Sequence, residues 1–257
     1  MNQKPGAYFF HAEQATDMFA YTPASLITMQ SAVLRYAGIP DSIMPDANVT
    51  TNTNVTQSLD DSTLVPLIPQ IAPLPSKQDT LSIAFSLASD NQLYAFLNDT
   101  SWSATPGDAT LYDVVSAQRQ KVSFTTQQLV ITNDDVVVWD LIWNNEDDGD
   151  HPVHLHGYNP WILGSGQGHY QYGKSLNLSQ TFDNPMRRDT FRVPVYGWAA
   201  IRVVLNNPGI WALHCHIGWH MEVGFLTQLN VLPSKLAQQT INPYAAAQCG
   251  KASLASS

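Results

Sequence analysis

Three consecutive residues, His214, Cys215 and His216, constrain this chain more than any other feature. They stand in the run Trp211-Ala-Leu-His-Cys-His-Ile-Gly-Trp-His-Met-Glu-Val-Gly-Phe225, which reads as a strand that ends in a turn. Successive side chains of a strand point to opposite faces, so the two histidines share one face and Cys215 projects from the other. One strand can therefore serve two metal sites. His220 follows Cys215 closely enough for the chain to turn and bring a further imidazole back beside the sulfur.

A second cluster, His151-Pro-Val-His154-Leu-His156-Gly, supplies what the first lacks. His154 and His156 again have the spacing of one strand face, and His151 stands apart across a proline. A cysteine with one nearby and one distant histidine is the trigonal donor set of a blue-copper electron-transfer site, in which a weak axial group tunes the potential. Taken singly, a buried histidine or free cysteine is usually an ordinary core residue. Here six of the eight histidines and one of the two cysteines fall into two short clusters, and that pairing outweighs the ordinary reading. His11 and His169 have no partner at ligand spacing and keep it.

Both clusters resemble the C-terminal copper motifs of the multicopper oxidases, the fungal laccases in particular. The segments Asn184-Pro-Met-Arg-Arg-Asp-Thr190, Gly197-Trp198, Ile201-Arg202 and Asn206-Asn-Pro-Gly209 resemble the run that leads into the His-Cys-His strand of those enzymes, and weaker similarity extends over nearly the whole chain. The resemblance implies a type 1 copper on His151, Cys215 and His220, a type 2 copper on His154, and a binuclear type 3 pair on His156, His214 and His216. The complete enzyme would hold up to four ions. Phe225, ten positions after Cys215, would take the axial place; a side chain that cannot ligate favours reduced copper and a relatively high potential. Met221 is expected in the core. A small-molecule reductant, phenolic or similar, would give up single electrons at an exposed edge of His220. Cys215 would carry them, and its neighbours His214 and His216 would pass them on to dioxygen. Ascorbate oxidases and metal oxidases of the family share every one of these ligands.

The dioxygen-reducing cluster also needs His-x-His pairs from an N-terminal cupredoxin domain, and none occurs outside the two clusters. Cys249 has no partner if Cys215 binds copper, whereas in fungal laccases a tail cysteine forms a disulfide with that N-terminal domain. The expectation is a C-terminal portion whose N-terminal cupredoxin domain is missing, incomplete for turnover alone. An isolated copper-binding or structural fragment is the remaining reading.

Along the chain the expected fold is all-β, a cupredoxin-like Greek-key β-sandwich preceded by a partial second cupredoxin domain. Residues 1–42 hold candidate strands around Tyr8 to His11 and from Ser31 to Tyr36, and the resemblance implies that these are the terminal strands of that incomplete middle domain. Residues 43–78 read as a linker, polar at first, then punctuated by Pro66, Pro69, Pro73 and Pro75, which keep it out of a central strand. Its apolar residues are expected to pack along a domain surface. From Asp79 the hydrophobic period becomes two: Leu81, Ile83, Phe85 and Leu87, then Val137, Trp139, Leu141 and Trp143, then Ile201, Val203 and Leu205, then Phe225, Thr227, Leu229 and Val231. Many short alternating strands without a long helix give an antiparallel sandwich over 79–236, with 237–257 as a tail.

The acidic run Glu146-Asp-Asp-Gly-Asp150 lacks the ligand alternation of a calcium loop and reads as a solvated turn. A net charge of −9 argues against nucleic acid or an anionic membrane surface as partner. No apolar run is long enough to span a bilayer, and no charged-then-apolar leader opens the chain. Asn-x-Ser/Thr sequons at Asn48, Asn54, Asn98 and Asn177 nevertheless favour a secreted, extracellular glycoprotein.

Overall fold

The computed structural model describes residues 4–14, 16, 21–46, 63–107, 109–116 and 127–248. Cys249 and the sequons at Asn48 and Asn54 lie outside them. The chain divides into two compact units, Met1–Asp60 and Asp61–Ser257.

In the first unit β1 (Ala7–Glu13) pairs antiparallel with β2 (Met29–Arg35), Ala7 opposite Arg35 and Glu13 opposite Met29. The hairpin lies where the sequence predicts strands. It leaves large apolar side chains open to solvent, Phe10 at 64% and Leu34 at 57%.

The second unit holds two five-stranded sheets. Its elements in chain order are β3 (Lys77–Leu87), β4 (Leu93–Leu97), α1 (Thr110–Ser116), β5 (Val130–Asn133), β6 (Val137–Asn145), β7 (His151–Leu155), β8 (Trp161–Gln167), β9 (Thr190–Val193), β10 (Gly197–Leu205), β11 (Gly209–Cys215), α2 (Gly218–Glu222), β12 (Leu226–Val231), α3 (Pro233–Leu236) and α4 (Pro243–Gln248). One sheet has the order β4-β3-β6-β10-β8 and the other β5-β12-β11-β7-β9. The predicted apolar faces meet in one core: Leu81, Ile83, Trp139, Leu141, Trp143, Ile201, Val203, Leu205, Leu229 and Val231 are all buried in it, together with Cys215 and Phe225. Among the described residues the helices are short, four to seven residues each, as expected of an all-β sandwich.

The sheets are not wholly antiparallel, as the alternation pattern suggested. β3 pairs parallel with β6, and β5 with β12. Parallel neighbours need long crossovers, which the chain supplies through residues 88–136 and 134–225, and periodicity carries no information about strand direction.

The outer face of the first sheet is also covered. Ile142, Trp161, Leu163, Tyr170, Leu178, Trp198 and Ala200 form a second apolar cluster with Ala72 of the proline-rich segment. Beneath it Arg202 is completely buried and uses all five of its N–H donors. Nε and Nη2 donate to the Asp140 carboxylate at 2.5 and 2.8 Å, and Nη1 and Nη2 donate to the carbonyls of Pro73, Gln180 and Leu178. One guanidinium thus ties the proline-rich segment and the 178–180 loop to β6 and β10. That segment packs less than its composition suggested: Ala72 is buried, but Leu67 is 98% and Ile68 75% exposed. The tail contributes α4, where Ala246 is buried and the Ala245 carbonyl accepts from the Tyr112 hydroxyl.

Candidate metal centre

β11 is the middle strand of the second sheet, between β12 and β7, and its pairing with β7 sets both histidine clusters side by side. Cys215 lies opposite Val153 and His214 opposite His154. The His216 N–H, just past the strand, donates to the Pro152 carbonyl. The pleat then sorts the side chains as the sequence predicts: Cys215 enters the core, while His214 and His216 share the other face with rings stacked 5.9 Å apart.

On the core side three donors converge. Cys215 Sγ is 3.8 Å from His151 Nδ1 and 3.5 Å from His220 Nδ1, and the two imidazole nitrogens are 3.1 Å apart. Among the described residues these three form the one group whose ligand atoms all lie within 4.8 Å. All are fully enclosed. β7 delivers His151, and the single turn of α2 folds back to deliver His220. The return closes at Gly224, whose φ of +111° no L side chain adopts readily and where an added Cβ would meet the Ala95 carbonyl at 2.9 Å. Burial pushes the Cys215 thiol up to about 12, and burial followed by repulsion from His151 pushes His220 down to about 4. The site thus disfavours its own charges until a cation enters. A free, buried thiol with two imidazoles aimed at one point fits a soft or borderline metal such as copper.

Phe225 is fully buried, its ring 5.1 Å from that of His151. Two expectations are corrected. His220 was expected to present an edge at the surface, but it is 1% exposed, capped by the Trp219 ring at 4.0 Å in perpendicular contact. Met221 was expected in the core. It is half-buried and lines a cavity of about 450 Å³ with Tyr94, Trp102 and Glu222, because α2 turns that side outward to bring His220 in.

On the opposite face His154, His156, His214 and His216 gather with ring centroids 4.7 to 5.9 Å apart for the neighbouring pairs. His156 Nε2 approaches His214 Nε2 at 3.1 Å. His154 Nδ1 lies 3.1 Å from both the Asp189 carbonyl and the Thr190 hydroxyl, and His214 Nδ1 lies 2.9 Å from the Cys215 carbonyl, which leaves Nε2 of each free to ligate. Burial lowers the pKa of His156 and His214, reinforced at His156 by its histidine neighbours. Neutral imidazole is the form that binds metal. His156 and His216 are exposed, so this cluster is open on one side.

His169 joins neither cluster, and His11 belongs to the first unit. His11 Nδ1 meets the Ser31 hydroxyl and His169 meets the Glu146 carboxylate, both at the surface.

Sequence reasoning missed three residues. Asp147, within the run read as a solvated turn, places Oδ2 3.2 Å from His151 Nε2, a close contact off the line of a straight hydrogen bond. Burial works against its charge, but the His151 imidazole and the backbone N–H groups of Asp148 and Gly149 hold its carboxyl below the ordinary value. Asp150, in the same run, takes Arg192 Nε at 2.6 Å. Phe85, read as an ordinary core-face residue, stacks on His151. The four-residue interval between Asp147 and His151 was the only signal, and it is uninformative outside a helix.

The sequence model of the multicopper oxidases matches residues 88–235, more than half of the chain and both histidine clusters. The chain belongs to the multicopper oxidases. Laccase-2 of Podospora anserina is 29% identical over 91% of this chain and 40% of its own length. The iron transport multicopper oxidase fio1 of Schizosaccharomyces pombe is 30% identical over 75% of this chain and 32% of its own. This multicopper oxidase chain therefore spans less than half the length of either relative. In fold it is similar to Fet3p, described as a multicopper oxidase that functions in iron import, with a TM-score of 0.75 at 23% identity over 95% of this chain and 48% of that one. It is also similar to the laccase from Botrytis aclada, with a TM-score of 0.67 over 86% of this chain and 40% of that one. Copper is the metal the family implies. The cupredoxin fold expected from the motifs is the one its structural neighbours share.

Proposed function

We propose that this chain is the C-terminal half of a laccase-like multicopper oxidase, one that oxidises phenolic or similar small reductants one electron at a time and couples this to reduction of dioxygen to water. The observation that carries the reading is the arrangement about β11: a buried His151–Cys215–His220 set on one face and four gathered imidazoles on the other, joined covalently through Cys215. Copper, when bound, supplies reversible one-electron chemistry. His151, Cys215 and His220 would hold the type 1 ion, His154 would serve the type 2 ion, and His156, His214 and His216 would serve the type 3 pair. Four imidazoles are too few for three ions, so the N-terminal cupredoxin domain must provide the rest. Trp219, 53% exposed and against His220, offers the surface at which a donor could approach that ligand.

A second reading, oxidation of a metal cation, is favoured by one observation. Asp147 is 20% exposed at its side chain and touches His151, so it joins solvent to a buried ligand with a negative charge that a cation would seek and a neutral phenol would not. The names of the relatives include laccases and iron oxidases alike. A secretory route is supported by the exposed side chains of the Asn98 and Asn177 sequons. No helix among the described residues is long and apolar enough to cross a membrane.

The deciding experiment is to express this chain joined to the coding sequence upstream of it and to follow oxygen uptake with a diphenol and with Fe(II). Preference for the diphenol supports the laccase reading, preference for Fe(II) the metal-oxidase reading, and uptake with neither contradicts both.

A further inference from the structure

We infer that Phe85 is a positioning residue for the buried His151–Cys215–His220 set, the aromatic cover that fixes the imidazole planes and closes the pocket to water. The inference rests on those three residues being the copper-binding set. β3 runs from the core outward: Ile83 is fully buried, Phe85 half-buried and Leu87 69% exposed. Phe85 is thus the last side chain of the strand to reach the interior, and it does so at the metal centre. Its ring lies nearly parallel to that of His151, at 11° with centroids 5.5 Å apart, and edge-on to that of His220 at 4.9 Å. It reaches Trp219 at 6.2 Å on the solvent side and Phe225 at 6.3 Å on the core side.

These contacts make Phe85 the link between the exposed and the buried aromatic walls of the pocket. Offset and edge-on contacts of this kind are the favoured arrangements of aromatic rings and add to the gain from burial. The strand that carries the ring is fastened to the segment leading into His151, since the Glu146 N–H donates to the Ile83 carbonyl at 2.9 Å. The ring and the ligand it stacks on are therefore held in a common frame. Removing the ring would open the half-exposed side of the pocket and free His151 to rotate. Water admitted there raises the local polarity, which favours the more highly charged oxidised metal and lowers the potential.

The test uses the full chain with Cys249→Ser, so that Cys215 is the only thiol. Cys215 alkylation by iodoacetamide is timed in the metal-free protein for Phe85 and for the series Phe85→Leu, Phe85→Val and Phe85→Ala. The rate is expected to climb as the side chain shrinks, by about tenfold or more at Ala, because exposure controls thiol access. The reduction potential of the copper-loaded forms is expected to fall in the same order. Should the Ala variant not fold, the Leu and Val variants carry the trend. Alkylation rates that stay flat across the folded variants would overturn the inference. If copper produced no Cys215-dependent visible band in the parent chain, the copper assignment would fail, and the alkylation series would still judge the cover by itself.

Discussion

Asp147 Oδ2 stands 3.2 Å from His151 Nε2, on the side of the ring opposite the nitrogen that faces Cys215. The imidazole proposed as a ligand is thereby connected to solvent through a carboxylate. Partners of this kind orient a ligand and raise its basicity, and their loss typically costs 10–100-fold in affinity or activity.

Replacement of Asp147 by Asn keeps the shape of this contact and deletes its charge. Reduction of the copper-loaded protein by Fe(II) is expected to slow by about tenfold or more, since a local negative charge attracts a cationic donor, with a smaller change for a neutral phenol. Stopped-flow bleaching of the visible band with both donors measures it. Equal slowing with both would show that Asp147 acts only through ligand geometry.

Phe225→Met places a thioether where Phe225 closes the pocket over His151. A weak axial ligand stabilises oxidised copper, so the reduction potential should drop. Redox titration of the loaded variant gives the answer, and a potential that stays or rises removes Phe225 from the axial position.

Asp140→Asn should be the most destabilising of the changes away from the metal centre. It leaves the Arg202 guanidinium charged and enclosed, a loss of about 3–5 kcal/mol for a broken buried pair. Urea unfolding of the metal-free chain measures it, and a loss under about 1 kcal/mol would mean that the carbonyls of Pro73, Leu178 and Gln180 suffice for Arg202.

What could be read in the sequence follows from which facts are local. The opposite facing of Cys215 and of His214 with His216 is a property of one strand, and it held in the fold. So did the core faces of β3, β6, β10 and β12, each set by a period of two. The parallel pairings β3–β6 and β5–β12 were not legible, because strand direction depends on crossovers and not on alternation. The burial of His220 and the half-burial of Met221 were not legible either: a single helical turn after Cys215 points successive side chains in different directions, and composition does not say which one enters the core. The contacts of Asp147 and Phe85 with His151 join segments whose proximity only the packed sheets create. The double cover of the first sheet had no signal beyond the unusually apolar odd and even positions of β6, where Ile142 is buried as deeply as Trp143.

One face of β11 is proposed to hold a complete copper site and the other face only part of one. Titration of the metal-free full chain with Cu(II), followed by its visible thiolate charge-transfer absorption and by copper retained after gel filtration, tests this most directly. One tightly held copper per chain is expected, with an intense band that Cys215→Ser abolishes and without steady oxygen consumption. A band that survives Cys215→Ser, or four retained coppers with continuous oxygen uptake by this chain alone, would contradict the account.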